Sequence, residues 1–327
     1  MPRLAGHAAV HRGNGLTARE VSNTGHSVFE RLHNLSRERG EDLNLILTRY
    51  AVERLLYRLS ISPHADRFIL KGAQLFLVWT GRFLRPTRDA DFLGLGPSDV
   101  PSVVSAFKDM CQTTDEAKDG IRFLATTIRA EEIRENQGYG GVRVRLQATI
   151  HDARVHVQID IGFGDAIVPS IEEAEFPTLL KDMPAPRIRA YPRYAVVAEK
   201  LEAMIRLGIA NSRMKDFYDV WLLSRVFEFD GQTLIDAVRA TMTRRRTPVP
   251  AAAPAAFTEG FKQDEQKRAQ WRAFVRRSGL SDAPGDLGAV IQDLSGLLQP
   301  VLDALRSGTP LPAMWSQGGP WSRPAPS

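Results

Sequence analysis

One cysteine, Cys111, is all that the chain contains, which excludes an internal disulfide framework and a cysteine-based zinc site. Within FKDMCQTTDE it has no nucleophilic partner nearby in sequence and reads as an incidental helix residue. No window approaches 18 consecutive apolar residues, so no membrane-spanning helix is expected. The stretch MPRLAGHAAVHRGNGLTARE offers no apolar run of signal-peptide length, and a cytoplasmic protein is the expectation. Acidic residues are outnumbered: 38 Asp and Glu stand against 43 Lys and Arg, for a net charge of +5. What is there suits a globular protein, with 43% hydrophobic and 25% charged residues over 327 positions. That is enough apolar material for a sizeable core, in one large domain or two of ordinary size.

The positive excess is local. Residues 231–280 carry ten Lys/Arg and four Asp/Glu, a net of +6. Arg244, Arg245 and Arg246, with KRAQWRAFVRR from Lys267 to Arg277, supply most of it. Such a zone can neutralise phosphates, or be a solvated helix face beside a loop. Residues 1–26 read as a flexible leader. From 27 to 60 the spacing is helical, with Leu45, Val52, Leu56 and Leu59 on one face at i, i+7, i+11 and i+14. Phe68-Ile69-Leu70 is a short strand that Lys71-Gly72 ends, and AQLFLVW reads as a buried helix.

The clearest β signal is central. In GVRVRLQATI, Val142, Val144, Leu146, Ala148 and Ile150 alternate with polar residues. In RVHVQIDI, Val155, Val157, Ile159 and Ile161 alternate with Arg154, His156, Gln158 and Asp160. With His151-Asp152-Ala153 as the turn, this is an antiparallel hairpin with one apolar and one polar face, Asp160 on the latter. His151 and His156 read as turn and strand-face residues. Prolines crowd 165–192, after which AVVAEKLEAMIRLG, with a Glu202/Arg206 pair, and KDFYDVWLLSRVFEF are helical. TPVPAAAPAAF reads as a Pro/Ala loop, and residues 308–327, with Trp315 and Trp321, as a disordered tail.

The strongest chemical signal is RPTRDADFLG. On a strand, Asp89 and Asp91 project from one face while Ala90 and Phe92 turn inward. Two carboxylates on a rigid face suit a hard divalent cation such as Mg²⁺ or Mn²⁺; a solvent-facing strand edge is the bland alternative. Upstream, Leu70-Lys71-Gly72-Ala73 is a strand, a tight turn and the start of a helix, a place where backbone amides meet phosphates. Downstream, Asp160 sits between Ile159 and Ile161. This order resembles the DNA polymerase β-type nucleotidyltransferases.

Two further motifs narrow the resemblance. Ala198-Glu199-Lys200-Leu201 and Arg213-Met214-Lys215-Asp216-Phe217-Tyr218-Asp219, with those above, are similar to the AbiEii/AbiGii nucleotidyltransferases. These are the toxin halves of type IV toxin–antitoxin and abortive-infection modules and include the MenT enzymes. The resemblance covers roughly residues 27–226. It implies an α+β fold: a polymerase β-type core of mixed sheet flanked by helices over 27–190, then a helical C-terminal region over 191–307.

For the site, the resemblance implies that Asp89 and Asp91 bind metal with Asp160 as third carboxylate, and that Gly72 and Ala73 form the phosphate turn. Ala73 stands where the family usually has Gly or Ser. Lys200 would reach the triphosphate, with little effect on stability if replaced, and Lys215 would share nucleotide binding. Asp216 would complete the pocket. Without the family, Lys200 reads as a surface lysine, Lys215 and Asp219 as an i,i+4 pair, and Asp216 as a helix-start charge. Thr87, two before Asp89, matches the Ser/Thr that some relatives modify through their antitoxin. The implied activity is Mg²⁺-dependent transfer of NMP from an NTP to RNA, such as a tRNA 3′ end, with an AbiEi-type antitoxin as partner. The rivals are a small-molecule, aminoglycoside-type nucleotidyltransferase, and an inactive core that only binds.

Overall fold

The alternating apolar residues of the central hairpin set the architecture. In a computed structural model, which describes residues 18–85, 87–113, 119–135 and 139–323, they lie on β4 (Tyr139–Ile150) and β5 (Ala153–Phe163). The two strands pair antiparallel from Gly141↔Gly162 to Ile150↔Ala153. Val142, Val144, Val157, Ile159 and Ile161 are essentially fully buried. Around them β1 (Phe68–Lys71), β2 (Ala90–Gly94), β3 (Ile121–Glu135), β6 (Glu172–Glu175) and β7 (Arg187–Ala190) complete a seven-stranded sheet of order β3-β4-β5-β2-β1-β7-β6. The pairs β2–β5 and β1–β7 are parallel and the rest antiparallel. The fold is α+β with a mixed sheet flanked by helices.

Helices α1 (Ala18–Arg39), α2 (Leu43–Ser60), α3 (Gln74–Thr80) and α4 (Val100–Gln112) belong to this half. Helix α1 begins inside the expected leader, so from Ala18 onward that segment is helical; residues 1–17 lie outside the described residues. Asp42 caps α2, its Oδ1 accepting from the Leu45 amide at 3.0 Å. The expected single stripe on α2 proves too narrow, because the helix packs against α1, α4, β5 and β7 and buries Arg49, Glu53, Arg54 and Arg58 as well. Buried charge is costly unless paired. Arg54 meets Glu53 at 2.8 Å and donates to the Pro184 carbonyl at 2.9 Å, while Arg58 donates to Asp119 and the Ile121 carbonyl. Burial outweighs Arg54 at Glu53 and pushes its carboxyl up to about 7.

The second half is helical: α5 (Arg193–Leu207), α6 (Met214–Val226), α7 (Gly231–Arg245), α8 (Glu259–Gln263), α9 (Glu265–Ser278) and α10 (Leu287–Ser307). The hydrophobic core is continuous across residue 190. The expected disordered tail is a correction. Strands β8 (Phe229–Asp230), β9 (Met314–Trp315) and β10 (Trp321–Ser322) form a small sheet. Its anchors are the two tryptophans: Trp315 is 4% exposed and donates to the Ser224 carbonyl at 2.8 Å, and Trp321 donates to the Leu297 carbonyl at 3.0 Å. Two large rings with satisfied N–H groups outweigh the polar, proline-rich composition around them. Only residues 324–327 of the tail lie outside the description. No described helix is long and apolar enough to cross a membrane.

Candidate active site

The parallel pairing of β2 with β5 sets Asp91 directly beside Asp160, and the antiparallel pairing of β2 with β1 sets Asp91 beside Lys71. Asp89 lies one residue before β2; Ala90 and Phe92 are buried, so the alternation aims the acidic pair away from the core. Gly72 has φ +69°, and a Cβ built there would come 1.9 Å from Asp91 Oδ2. The turn is therefore glycine because the Asp91 carboxylate occupies the space a side chain would need. Ala73 is buried (4% exposed). Of the expected phosphate-turn pair, Gly72 alone lines the cavity below, and α3 behind it spans only seven residues.

The three carboxylates neighbour one another, but the third is held by an arginine. Arg143 grips Asp160 bidentately, Nε to Oδ1 and Nη2 to Oδ2, both at 2.7 Å. Among the described residues, no group of three or more His, Cys, Asp or Glu is arranged to hold a metal ion. Partial desolvation and the neighbouring Asp160 carboxylate raise Asp89, against the pull of Arg143 and Lys215. The donor set still fits Mg²⁺, which commonly takes one or two carboxylates and completes its octahedron with water and substrate phosphates.

A cavity of about 680 Å³ opens between the ends of β1, β2 and β5 and the helices α5 and α6, lined by Lys71, Gly72, Asp91, Lys200, Lys215 and Asp216 among others. Its charged walls are almost wholly paired. Lys71 Nζ bonds Asp165 at 2.7 Å and Glu199 at 2.8 Å. Arg245 bonds Asp165 at 3.0 Å and Glu202 at 2.9 Å. Burial would lower the Lys71 ammonium, but Glu199 and Asp165 raise it. Burial would likewise raise Asp165, but Lys71 and Arg245 hold it below its ordinary value.

The second network centres on Lys200, whose Nζ lies 2.9 Å from Asp216 Oδ1 and 2.8 Å from Asp219 Oδ2. Arg85 bonds Asp219 at 2.8 Å and Arg213 bonds Asp216 at 2.5 Å. Despite burial, Arg85 and Lys200 hold Asp219 down to about 2, and Lys200 and Arg213 lower Asp216. The free lysine expected over a triphosphate is thus clamped between two carboxylates. Lys215, which without the family reads as a partner of Asp219, is exposed on the cavity wall and has no ion pair among the described residues.

Arg245 corrects another expectation: it belongs to the cavity's floor, not to an RNA-facing strip. Arg276 and Arg277 are exposed on α9. Thr87 donates to the Asp89 carbonyl at 3.2 Å. Sequence reading passed over Lys71, Arg85, Asp165 and Glu199, and saw Glu202 only as the partner of Arg206, a pair the structure contains at 3.0 Å. Lys71 and Glu199 stood within quoted motifs, but their pairing joins residues 128 apart.

A second cavity, of about 520 Å³, is lined by Asn44, Thr48, Arg88, Asp89, Arg154 and His156 among others. Asp91 lines the first cavity and Asp89 the second.

A mixed sheet carrying this acidic pair, faced by a helical lid of paired charges, is the frame of a nucleotidyltransferase. The family model for the nucleotidyl transferase AbiEii toxin of type IV toxin–antitoxin systems matches residues 54–299, and the chain belongs to that family. Among solved structures it is similar to JHP933 from Helicobacter pylori, at 14% identity and TM-score 0.44, covering 82% of this chain and 95% of that one. It is also similar to a proposed nucleotidyltransferase from H. pylori, at 14% identity and TM-score 0.42, covering 78% and 92%. The chain finds no match among curated proteins.

Proposed function

We propose that this toxin transfers the nucleoside monophosphate of an NTP to an RNA acceptor, such as a tRNA 3′ end, with Mg²⁺ or Mn²⁺ held by Asp89 and Asp91. The observation that carries this reading is the division of the acidic pair between two cavities, Asp91 in the first and Asp89 in the second, so that two substrates can meet at β2. When bound, the metal supplies charge neutralisation at the phosphates. The acceptor hydroxyl forms a bond to the α-phosphorus, the α–β bridge breaks, pyrophosphate leaves, and the hydroxyl proton passes to a carboxylate or to solvent. Lys215, on the cavity wall and without an ion pair among the described residues, contacts phosphate directly. Lys200 and Asp216 hold the wall from which it projects, and Gly72 lets the Asp91 carboxylate sit against the turn. Asp160 serves as base or third ligand only when the Arg143 pair opens.

A cationic drug as acceptor is disfavoured because Asp165, Glu199 and Glu202 are already neutralised by Lys71 and Arg245. Family membership implies an antitoxin; we place its AbiEi-type action at Thr87, next to the acidic pair, and the reaction in the cytoplasm. The test is incubation with each α-labelled NTP, Mg²⁺ and total tRNA. Label retained on RNA with one or more NTPs is expected; label on no RNA under any NTP sinks the acceptor assignment.

A further inference from the structure

The polar face of the β3–β4–β5 ribbon carries arginines that the chemistry at Asp91 does not use. Register sets Arg145 between Gln158 and Arg129, and Thr149 between Arg154 and Arg122. These rows share a face with Asp160 and recede from it along β5, at roughly 6.6 Å per two residues. Arg122, Arg145 and Arg154 are exposed, Arg145 in a surface pair with Glu131 at 2.8 Å that a phosphate can replace. Arg122 and Arg154, together with Arg88, make no ion pair among the described residues. Neighbouring unpaired cations repel one another and are best satisfied by a polyanion that spans them. The second cavity links the ribbon to the acidic pair: β5 runs on past the start of β2, where Ala90 faces Ile159, and the groove beside residues 154–158 ends at Asp89.

We infer that this ribbon is the docking surface for the single-stranded 3′ end of the RNA acceptor, its backbone on Arg122, Arg145 and Arg154 and its terminal hydroxyl at Asp89. This rests on the reading that the acceptor is RNA. The exposed His156 ring on the same face provides a surface for base stacking. The commitment to a nucleic acid over an acidic protein segment comes from charge complementarity in successive rows together with a groove that leads to the reacting centre.

The experiment measures binding of a fluorescein-labelled single-stranded RNA oligonucleotide across a salt series, with total tRNA as competitor. It compares wild type, R122A/R145A/R154A, the single R154E and R276A/R277A, with melting curves as the folding check. The triple variant is expected to bind about tenfold or more weakly. Its log–log salt slope should flatten by about 0.7 for each lost contact, roughly 2 in all. R154E should weaken binding in the same direction, and R276A/R277A should bind as wild type. Wild-type binding by folded triple variant and R154E protein, with loss in R276A/R277A, overturns the proposal and moves the RNA to α9. Arginine-dependent binding of polyglutamate in place of RNA also overturns it and makes the ribbon a protein-docking face. Wild type that binds and labels no RNA fails before any arginine is changed, and that failure belongs to the RNA reading itself.

Discussion

The two cavities that the acidic pair reaches handle charge in opposite ways. On the helical side, Lys71, Arg85, Lys200, Arg213 and Arg245 each meet a carboxylate at 3.0 Å or less, largely out of water. On the sheet side, Arg88 and Arg154 of the second cavity and Arg122 beside them on the ribbon stand in solvent without such partners among the described residues. A network closed on itself fixes geometry and, among the described residues of that wall, leaves Lys215 without an ion pair. An open row leaves its charge for a ligand and makes association sensitive to salt. One side is built to hold a shape, the other to attract a polyanion.

The largest way to break this contrast is to open the closed side. Lys200→Ala leaves Asp216 and Asp219, 1% and 2% exposed as side chains, without their shared cation. Arg85 and Arg213 still face these carboxylates, so the cost is that of the charge-assisted hydrogen bonds lost, roughly 3 kcal/mol, and urea and thermal unfolding should both register it. This reverses the expectation drawn from sequence, and a Lys200→Ala protein with wild-type stability would return the residue to a direct role on the nucleotide.

Replacing Asp89 or Asp91 by Asn acts on chemistry instead. Nucleotide transfer should fall by about a hundredfold or more, roughly 2.7 kcal/mol in the barrier, with the melting curve retained. Activity within tenfold of wild type in either variant breaks the metal assignment.

Acid sharpens the comparison, because only the closed side depends on depressed carboxylates. Asp219 is held at about 2 when folded, below its unfolded value. Its contribution is complete above the unfolded range and is lost as the pH falls towards 2. Roughly 2 kcal/mol should disappear between about pH 4.5 and 2, measured by urea denaturation at successive pH values. A flat profile there, or one that Asp219→Asn leaves unchanged, contradicts the network.

Gly72→Ala is smaller in stability and specific in place. Its Cβ would meet Asp91 Oδ2 at 1.9 Å at φ +69°. The left-handed backbone adds about 1–2 kcal/mol, and displacing Asp91 should lower transfer about tenfold. Full activity in this variant would show that the Asp91 position is not set by the turn.

What was legible in the sequence was local. Period 2 in residues 141–161 gave both the hairpin and the face of Asp160, because strand alternation needs no knowledge of distant partners. The alternation in RDADF likewise placed Ala90 and Phe92 inside. What was hidden was long-range. Nothing near Arg245 announces Asp165, 80 residues away, and a run of three arginines reads the same whether it faces solvent or a buried carboxylate. Arg54 looks like a surface residue of an amphipathic helix until α2 is seen to be enclosed. Trp315 and Trp321 lie in a segment whose composition suggests disorder, and their order comes from carbonyls on α6 and α10. The motif order was enough to name the family, but not to show that Lys200 is neutralised or that Arg143 holds Asp160.

Hydrogen–deuterium exchange, measured with NTP plus Mg²⁺ and separately with RNA, tests most directly whether two substrates reach β2 through different cavities. NTP should slow exchange in residues 208–213 at the rim of the first cavity and leave 151–158 unchanged. RNA should slow 151–158 and leave 208–213 unchanged. Protection of the same segment by both ligands, or of 151–158 by NTP, would contradict the account.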